Sequence, residues 1–244
     1  MAVKKKIGEI VNENYINGAV LYYFGITFYD YSDRSLEEAC QERGLDAHVV
    51  VDHLESVNKP NGLSNAALRK YPLELIVEYL KHTHHIFVKQ RLPYLATLID
   101  DLPGYHPLEK DLQFVFPLFV EDFIHHIYEE EDTLFSYIST MRKYTHGKLN
   151  QSAMYMAMES HALQTFAMEH QEHDDDMHGI RQLTNDYSVP AEASLHLRVV
   201  FAELKRLEQE LQTHASVEND ILFPKALSLE HAVRQMIGQT ITLN

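Results

Sequence analysis

Apolar residues recur at three- and four-residue intervals along most of the chain, and period-two alternation with β-branched residues is rare. Near the start, Ile7, Ile10 and Val11 share one face. Ala19 to Phe24 make a second short helical piece, which Gly25 ends. Ser35, with Glu38 three residues on, reads as a capping box, and Gly44 stops the helix it opens. Asp46 to Leu54 form a further short helix. Asn58-Lys-Pro-Asn-Gly-Leu-Ser-Asn65 has the composition of a linker and places a boundary near 58–66. Four long helical segments are predicted beyond it, over about 72–99, 108–144, 150–186 and 191–223. Pro72 suits a first turn, Pro117 predicts a kink or a late start, and Pro224 marks the end of the fourth segment. At 1.5 Å per residue these segments are about 40–55 Å long, the proportions of an up-down bundle. The expected fold is therefore all-α. A small N-terminal helical domain (1–57) is followed by a linker (58–71), a four-helix bundle (72–227) and a helical tail (228–244).

Composition narrows the function. The 21 basic and 36 acidic side chains give a net charge of −15, spread along the length, which argues against nucleic acid and anionic membrane surfaces as partners. The densest apolar stretch, Leu112 to Val120, is interrupted by Pro117 and falls far short of a membrane span. The opening lysines have no apolar run behind them, so no signal peptide is expected. A single cysteine, Cys40, rules out an internal disulfide framework and fits a reducing cytoplasm. Histidine is in surplus, 16 of 244 residues, and function is to be sought there.

The histidines contain a repeat. His126-Ile-Tyr-Glu-Glu130-Glu-Asp-Thr-Leu-Phe135 and His214-Ala-Ser-Val-Glu218-Asn-Asp-Ile-Leu-Phe223 share His-x3-Glu-x-Asp-x-Leu-Phe, offset by 214 − 126 = 88. The same offset links His85 to His173, and each precedes its His-x3-Glu by 41 residues (126 − 85 and 214 − 173). Residues i and i+4 lie on one helical face, so each motif turns an imidazole and a carboxylate the same way. A gap of 41 residues is one helix, a turn and most of an antiparallel partner. Two such hairpins would bring His85, His126, Glu130, His173, His214 and Glu218 to one level of a bundle interior. Six such groups exceed one tetrahedral zinc site and suit two iron or manganese ions bridged by the carboxylates. A single His-x3-Glu is most often a solvated pair; two copies in register, each with its upstream histidine, are not.

The neighbours are one position out of register, about 100° away on a helix. His84 is expected as a residue beside the ligands or an interhelical hydrogen-bonder, with metal binding as its lesser alternative, and His125 with Glu129 as a rival pair that breaks the match to the Leu-Phe ending. His170, one turn before His173, could line the pocket. His82, His106, His146, His161, His178, His196 and His231 are read as surface or structural. Tyr22, Tyr23, Phe28, Tyr29 and Tyr31 are read as core of the small domain, and Met154, Met156 and Met158 as core filling or helix surface.

Over about residues 73–227 these motifs resemble the haemerythrin-like fold, and more narrowly the di-iron proteins of the RIC (repair of iron centres) family. The likeness rests on His85, His126-x3-Glu130, Glu172-His173-Asp174 and His214-x3-Glu218-Asn219-Asp-Ile-Leu-Phe-Pro224. It extends to the N-terminal domain through Gly25-Ile26 and Arg34-Ser-Leu-Glu-Glu-Ala-Cys40. Family members usually carry a Cys-Cys pair followed by glycines between those pieces. This chain has Phe28-Tyr29-Asp30-Tyr31-Ser32-Asp33, with no thiol. The resemblance implies an oxo- or hydroxo-linked, carboxylate-bridged di-iron centre on the same six residues. It also implies a role in oxidative or nitrosative stress, by iron donation to damaged iron–sulfur proteins or by chemistry on O2, NO or peroxide. A carrier or sensor of O2 or NO without turnover is the alternative, and a helical scaffold with an incidental metal site is the third reading. Zinc and manganese are secondary candidates for the metal. The sequence fixes no oligomeric state; a homodimer stays open.

Overall fold

A computed structural model describes residues 2–57, 65–160, 163, 166 and 177–242. The described residues are helical throughout, apart from turns and one isolated antiparallel bridge between Lys6 and Ser35. The N-terminal helices are α1 (Ile7–Glu13), α2 (Ile16–Tyr23), α3 (Leu36–Arg43) and α4 (Ala47–Val57). The capping box at Ser35 and Glu38 is present, and Gly44 closes α3 in the left-handed conformation at φ 67°, where a side chain would be strained. There follow α5 (Asn65–Leu68), α6 (Leu73–Ile86), α7 (Leu92–Asp100), α8 (Pro107–Glu130), α9 (Ser136–Thr145) and α10 (Gln151–Ser160). The last are α11 (His178–Leu183), α12 (Leu195–Val217) and α13 (Phe223–Thr242). No described helix is long and apolar enough to cross a membrane.

Three joints between these helices are π turns: Phe87–Arg91 between α6 and α7, Glu131–Phe135 between α8 and α9, and Glu218–Leu222 between α12 and α13. Two of them precede a proline. Pro93 and Pro224 stand second in α7 and α13. In an ordinary α turn each ring would press on the carbonyl four residues back, that of Lys89 or Asp220; a wider turn relieves the clash. At the joint between α8 and α9 the Thr133 hydroxyl donates to the Glu129 carbonyl. The helical path therefore continues past Pro224 to Thr242, where the sequence pattern predicted an end and a separate tail. Likewise α8 starts at Pro107 and runs unbroken through Pro117.

The chain forms two compact units. The first gathers the described parts of 1–62, 91–117 and 179–208. Ile7, Val11, Leu21, Leu36 and Val50 are buried in it. The ring of Tyr22 lies 4.9 Å from that of Tyr94, and Tyr29 stacks on His196 at 4.1 Å. Phe28 is buried, whereas Tyr31 is half-buried under the guanidinium groups of Arg34 and Arg43. The aromatic group of the N-terminal segment thus packs on 91–100 and His196 as well as on its own helices.

The second unit gathers the described parts of 63–90, 118–178 and 209–244. Its core joins Ile76, Val77 and Leu80 of α6 to Leu134, Phe135 and Ile138, to Met141 and Met154, and to Val217, Ile221, Leu222 and Val233. Met154 is core, Met158 packs against it and Met156 is exposed.

Candidate metal centre

The second unit's apolar stripes are interrupted by polar residues at one place. On α6 the buried positions run Ile76, Leu80, His84, with Phe87 next in the π turn; on α8 they run Phe119, Phe123, Ile127, Glu130. At the end of α12, Val217 is followed by Glu218, which opens the π turn. His214 stands one helical turn before it. One donor atom from each of His84, Glu130, His214 and Glu218 lies within 4.8 Å of the others. Bonds of about 2.0–2.2 Å to an ion put opposed donors roughly 4.2 Å apart, so the group is the size of one ion's shell.

The contacts are close. His84 Nε2 is 3.0 Å from His214 Nε2 and 3.3 Å from Glu130 Oε2. His214 Nε2 is 2.8 Å from Glu218 Oε1. On their outer edges, His84 Nδ1 meets Glu131 Oε1 at 2.8 Å and His214 Nδ1 meets Thr83 Oγ1 at 3.0 Å. Phe135 stacks on the His84 ring, Phe87 sets its edge against His214, and the two carboxylates are 4% and 1% exposed.

Electrostatics mark this place off from the other buried carboxylates. Glu203 is paired with Arg91, Glu208 with Arg181, and Glu230 with Tyr137 and Arg234; Glu109 accepts from the Tyr105 and His106 amides. At Glu130 both oxygens are buried without a conventional hydrogen bond. Its carboxyl is raised above the ordinary glutamate value by burial first and by the charge of Glu218 second, with His84 only partly offsetting the rise. Burial pulls His84 down, but its contacts with Glu130 and Glu131 and the charge of Glu218 outweigh that and raise it. Two buried carboxylates and two imidazoles without a lysine or arginine among these contacts make a donor set that suits a cation, and the group fits one.

The structure gathers Glu130, His214 and Glu218 from the six residues that the repeat selected. The imidazole that joins them is His84, where the repeat pointed to His85. His84 continues the apolar stripe of α6, four residues after Leu80; His85, 100° further round, is exposed. That stripe was a signal in the sequence, and it is more local than an offset carried across 88 residues. His126 is half-buried, outside the four-donor group, with its ring stacked 6.4 Å from Phe123. His173 and His170, with Glu172, lie outside the described residues. His125 and Glu129 form an exposed pair, and His196 is held by the Leu98 carbonyl.

The fold and this group define a helical protein with a buried His/Glu site suited to a cation. Its family is equally plain: the model of the hemerythrin HHE cation binding domain matches residues 75–226, and the chain belongs to that family. Relatives by sequence include the iron–sulfur cluster repair protein ScdA of Staphylococcus haemolyticus, 23% identical over 224 residues that cover 90% of this chain and 96% of that protein. The iron–sulfur cluster repair protein YtfE of Cronobacter sakazakii is 29% identical over 209 residues, 81% of this chain and 84% of its own length. A probable iron–sulfur cluster repair protein of Haemophilus influenzae is 25% identical over 203 residues, 79% and 83% of the two chains.

Proposed function

We propose that this chain is a non-haem iron protein that serves the restoration of damaged iron–sulfur proteins under oxidative or nitrosative stress. His84, Glu130, His214 and Glu218 hold iron, and His126 and His173 supply donors for a second ion. The observation that carries the reading is Glu130: a buried carboxylate beside a second one, with imidazoles and no lysine or arginine among these contacts, suits a bound cation. The names of the relatives, iron–sulfur cluster repair proteins, support the repair role. Iron bound there supplies one-electron redox cycling and affinity for O2, NO or peroxide. The protein's part is to present neutral imidazoles and ionised carboxylates, to keep the four donors within reach of one centre, and to exclude water with Phe87 and Phe135.

The test is iron content per chain after anaerobic purification, followed by restoration of a peroxide-damaged iron–sulfur dehydratase. Two irons per chain are expected, falling to none in the double variant E130A/E218A with helicity retained. The loaded protein should restore the dehydratase and the metal-free protein should not. Two irons in the double variant would overturn the site. Reversible oxygenation without any restoration would replace repair by the carrier reading.

A further inference from the structure

The two imidazoles of the site are held from outside by a hydroxyl and a carboxylate. The Thr83 hydroxyl has one proton, and its shortest contact is with its own helix: Oγ1 lies 2.7 Å from the Leu80 carbonyl, with the Tyr79 carbonyl at 3.4 Å. With the proton on Leu80, Thr83 accepts from His214 Nδ1, 3.0 Å away, and Nδ1 carries the hydrogen. The Glu131 carboxylate has no proton to give, so His84 Nδ1, 2.8 Å away, is also the donor. In the neutral rings both Nε2 atoms are then left with a lone pair. Those lone pairs face each other at 3.0 Å, with Glu130 Oε2 3.3 Å from one and Glu218 Oε1 2.8 Å from the other. A cation between them would engage all four donors at once.

The bracing is crossed. Thr83 precedes His84 on α6 but holds His214 of α12; Glu131 follows Glu130 but holds His84 of α6. We propose that Thr83 and Glu131 are positioning residues that lock His214 and His84 in the Nδ1–H tautomer, so that both Nε2 lone pairs point at one cation. The proposal rests on the metal reading above. Without the braces either ring could turn its hydrogen to Nε2 and donate straight to Glu130 or Glu218, closing the site as a self-satisfied network with less need of an ion. Outer partners of this kind are generally worth about 10–100-fold in metal affinity.

The experiment uses the full chain and its variants T83V, T83S, E131A and E131Q. Zn2+ serves as the diamagnetic probe and Fe2+ is titrated anaerobically in parallel. Valine has the shape of threonine without the hydroxyl; serine and glutamine keep an acceptor in place. Affinity for the first ion should fall about 10–100-fold in T83V and E131A, and most of it should return in T83S and E131Q. Ring 15N shifts of the metal-free protein should show His214 and His84 as Nδ1–H in the parent, with the His214 hydrogen redistributed toward Nε2 in T83V. A merely structural role for Thr83 would leave that tautomer unmoved. The proposal is overturned if T83V and E131A bind Zn2+ as the parent does while E130A/E218A does not, an outcome that leaves the metal reading standing. If the parent itself binds neither ion the metal reading fails, and the tautomers still decide whether the braces act.

Discussion

Replacing Glu130 with methionine should change the sign of its effect on stability when metal is added. In the metal-free chain Glu130 is 4% exposed and neither oxygen has a conventional hydrogen bond. A buried polar group left unsatisfied costs about 1–3 kcal/mol. Methionine is unbranched and close to glutamate in length, so the packing loss should stay below about 1.5 kcal/mol. The net expectation is a metal-free variant about 0–2 kcal/mol more stable than the parent. In a chain of this size about 1 kcal/mol moves Tm by roughly 2–4 °C. With Zn2+ or Fe2+ at about a hundred times the dissociation constant, the parent gains about 2.7 kcal/mol, and the variant should lose most of that gain. Thermal or urea unfolding in chelator and in metal measures both quantities in the transition that metal shifts. If E130M is less stable than the parent in chelator, Glu130 is a satisfied part of the core. If metal raises both proteins equally, Glu130 does not hold the ion. Either result refutes the assignment.

Three further expectations concern separate steps. His84→Ala should abolish tight binding of the first ion and His85→Ala should leave metal content near the parent value, read by elemental analysis per chain. Metal uptake should tighten as pH rises and release protons, because the Glu130 carboxyl and the His84 imidazole are both raised and an ion must displace their protons. The sign for stability is the reverse. In chelator these two groups contribute stability that is full below 4.5 and 6.5 respectively and is lost as pH climbs through their raised folded values, so the unfolding midpoint should fall from pH 5 to pH 8. Ser35→Ala should cost about 1 kcal/mol, seen as faster amide exchange in α3 with metal affinity unchanged.

Much of the fold could be read from periodicity and caps. The Ser35 box, the Gly44 stop and the starts of α6 and α8 follow from short-range chemistry that a sequence displays directly. Pro224 was harder to read. As a residue that cannot donate to the helical ladder it signals an end, but in α13 it sits where the preceding π turn has already freed the carbonyl it would strike. The composition of the first unit was also hidden. Tyr22 and Tyr29 pack on Tyr94 and His196, contacts between positions some 70 to 170 residues apart in sequence, which no local pattern encodes.

For the candidate site two kinds of pattern agree at some positions and diverge at others. Glu130 and Glu218 are picked out by the repeat and by burial alike. For the upstream histidine the repeat gave position 85, whereas the stripe Ile76, Leu80, Phe87 has its gap at 84. The stripe is the stronger guide for a physical reason. Facing is set turn by turn within one helix, while an offset of 88 residues is preserved only if every intervening turn and joint has the same length in both halves. The π joint at Phe87–Arg91 lies between the upstream histidine and the first His-x3-Glu, where it adds a residue to its turn and moves everything beyond it by about 100° relative to an unbroken helix. A polar residue that fills a gap in an apolar stripe, and finds no lysine, arginine or backbone group to satisfy it, is therefore a candidate ligand whatever its place in a repeat. By that rule His196, held by the Leu98 carbonyl, and Glu203, held by Arg91, are set aside as structural, and His84 and Glu130 remain.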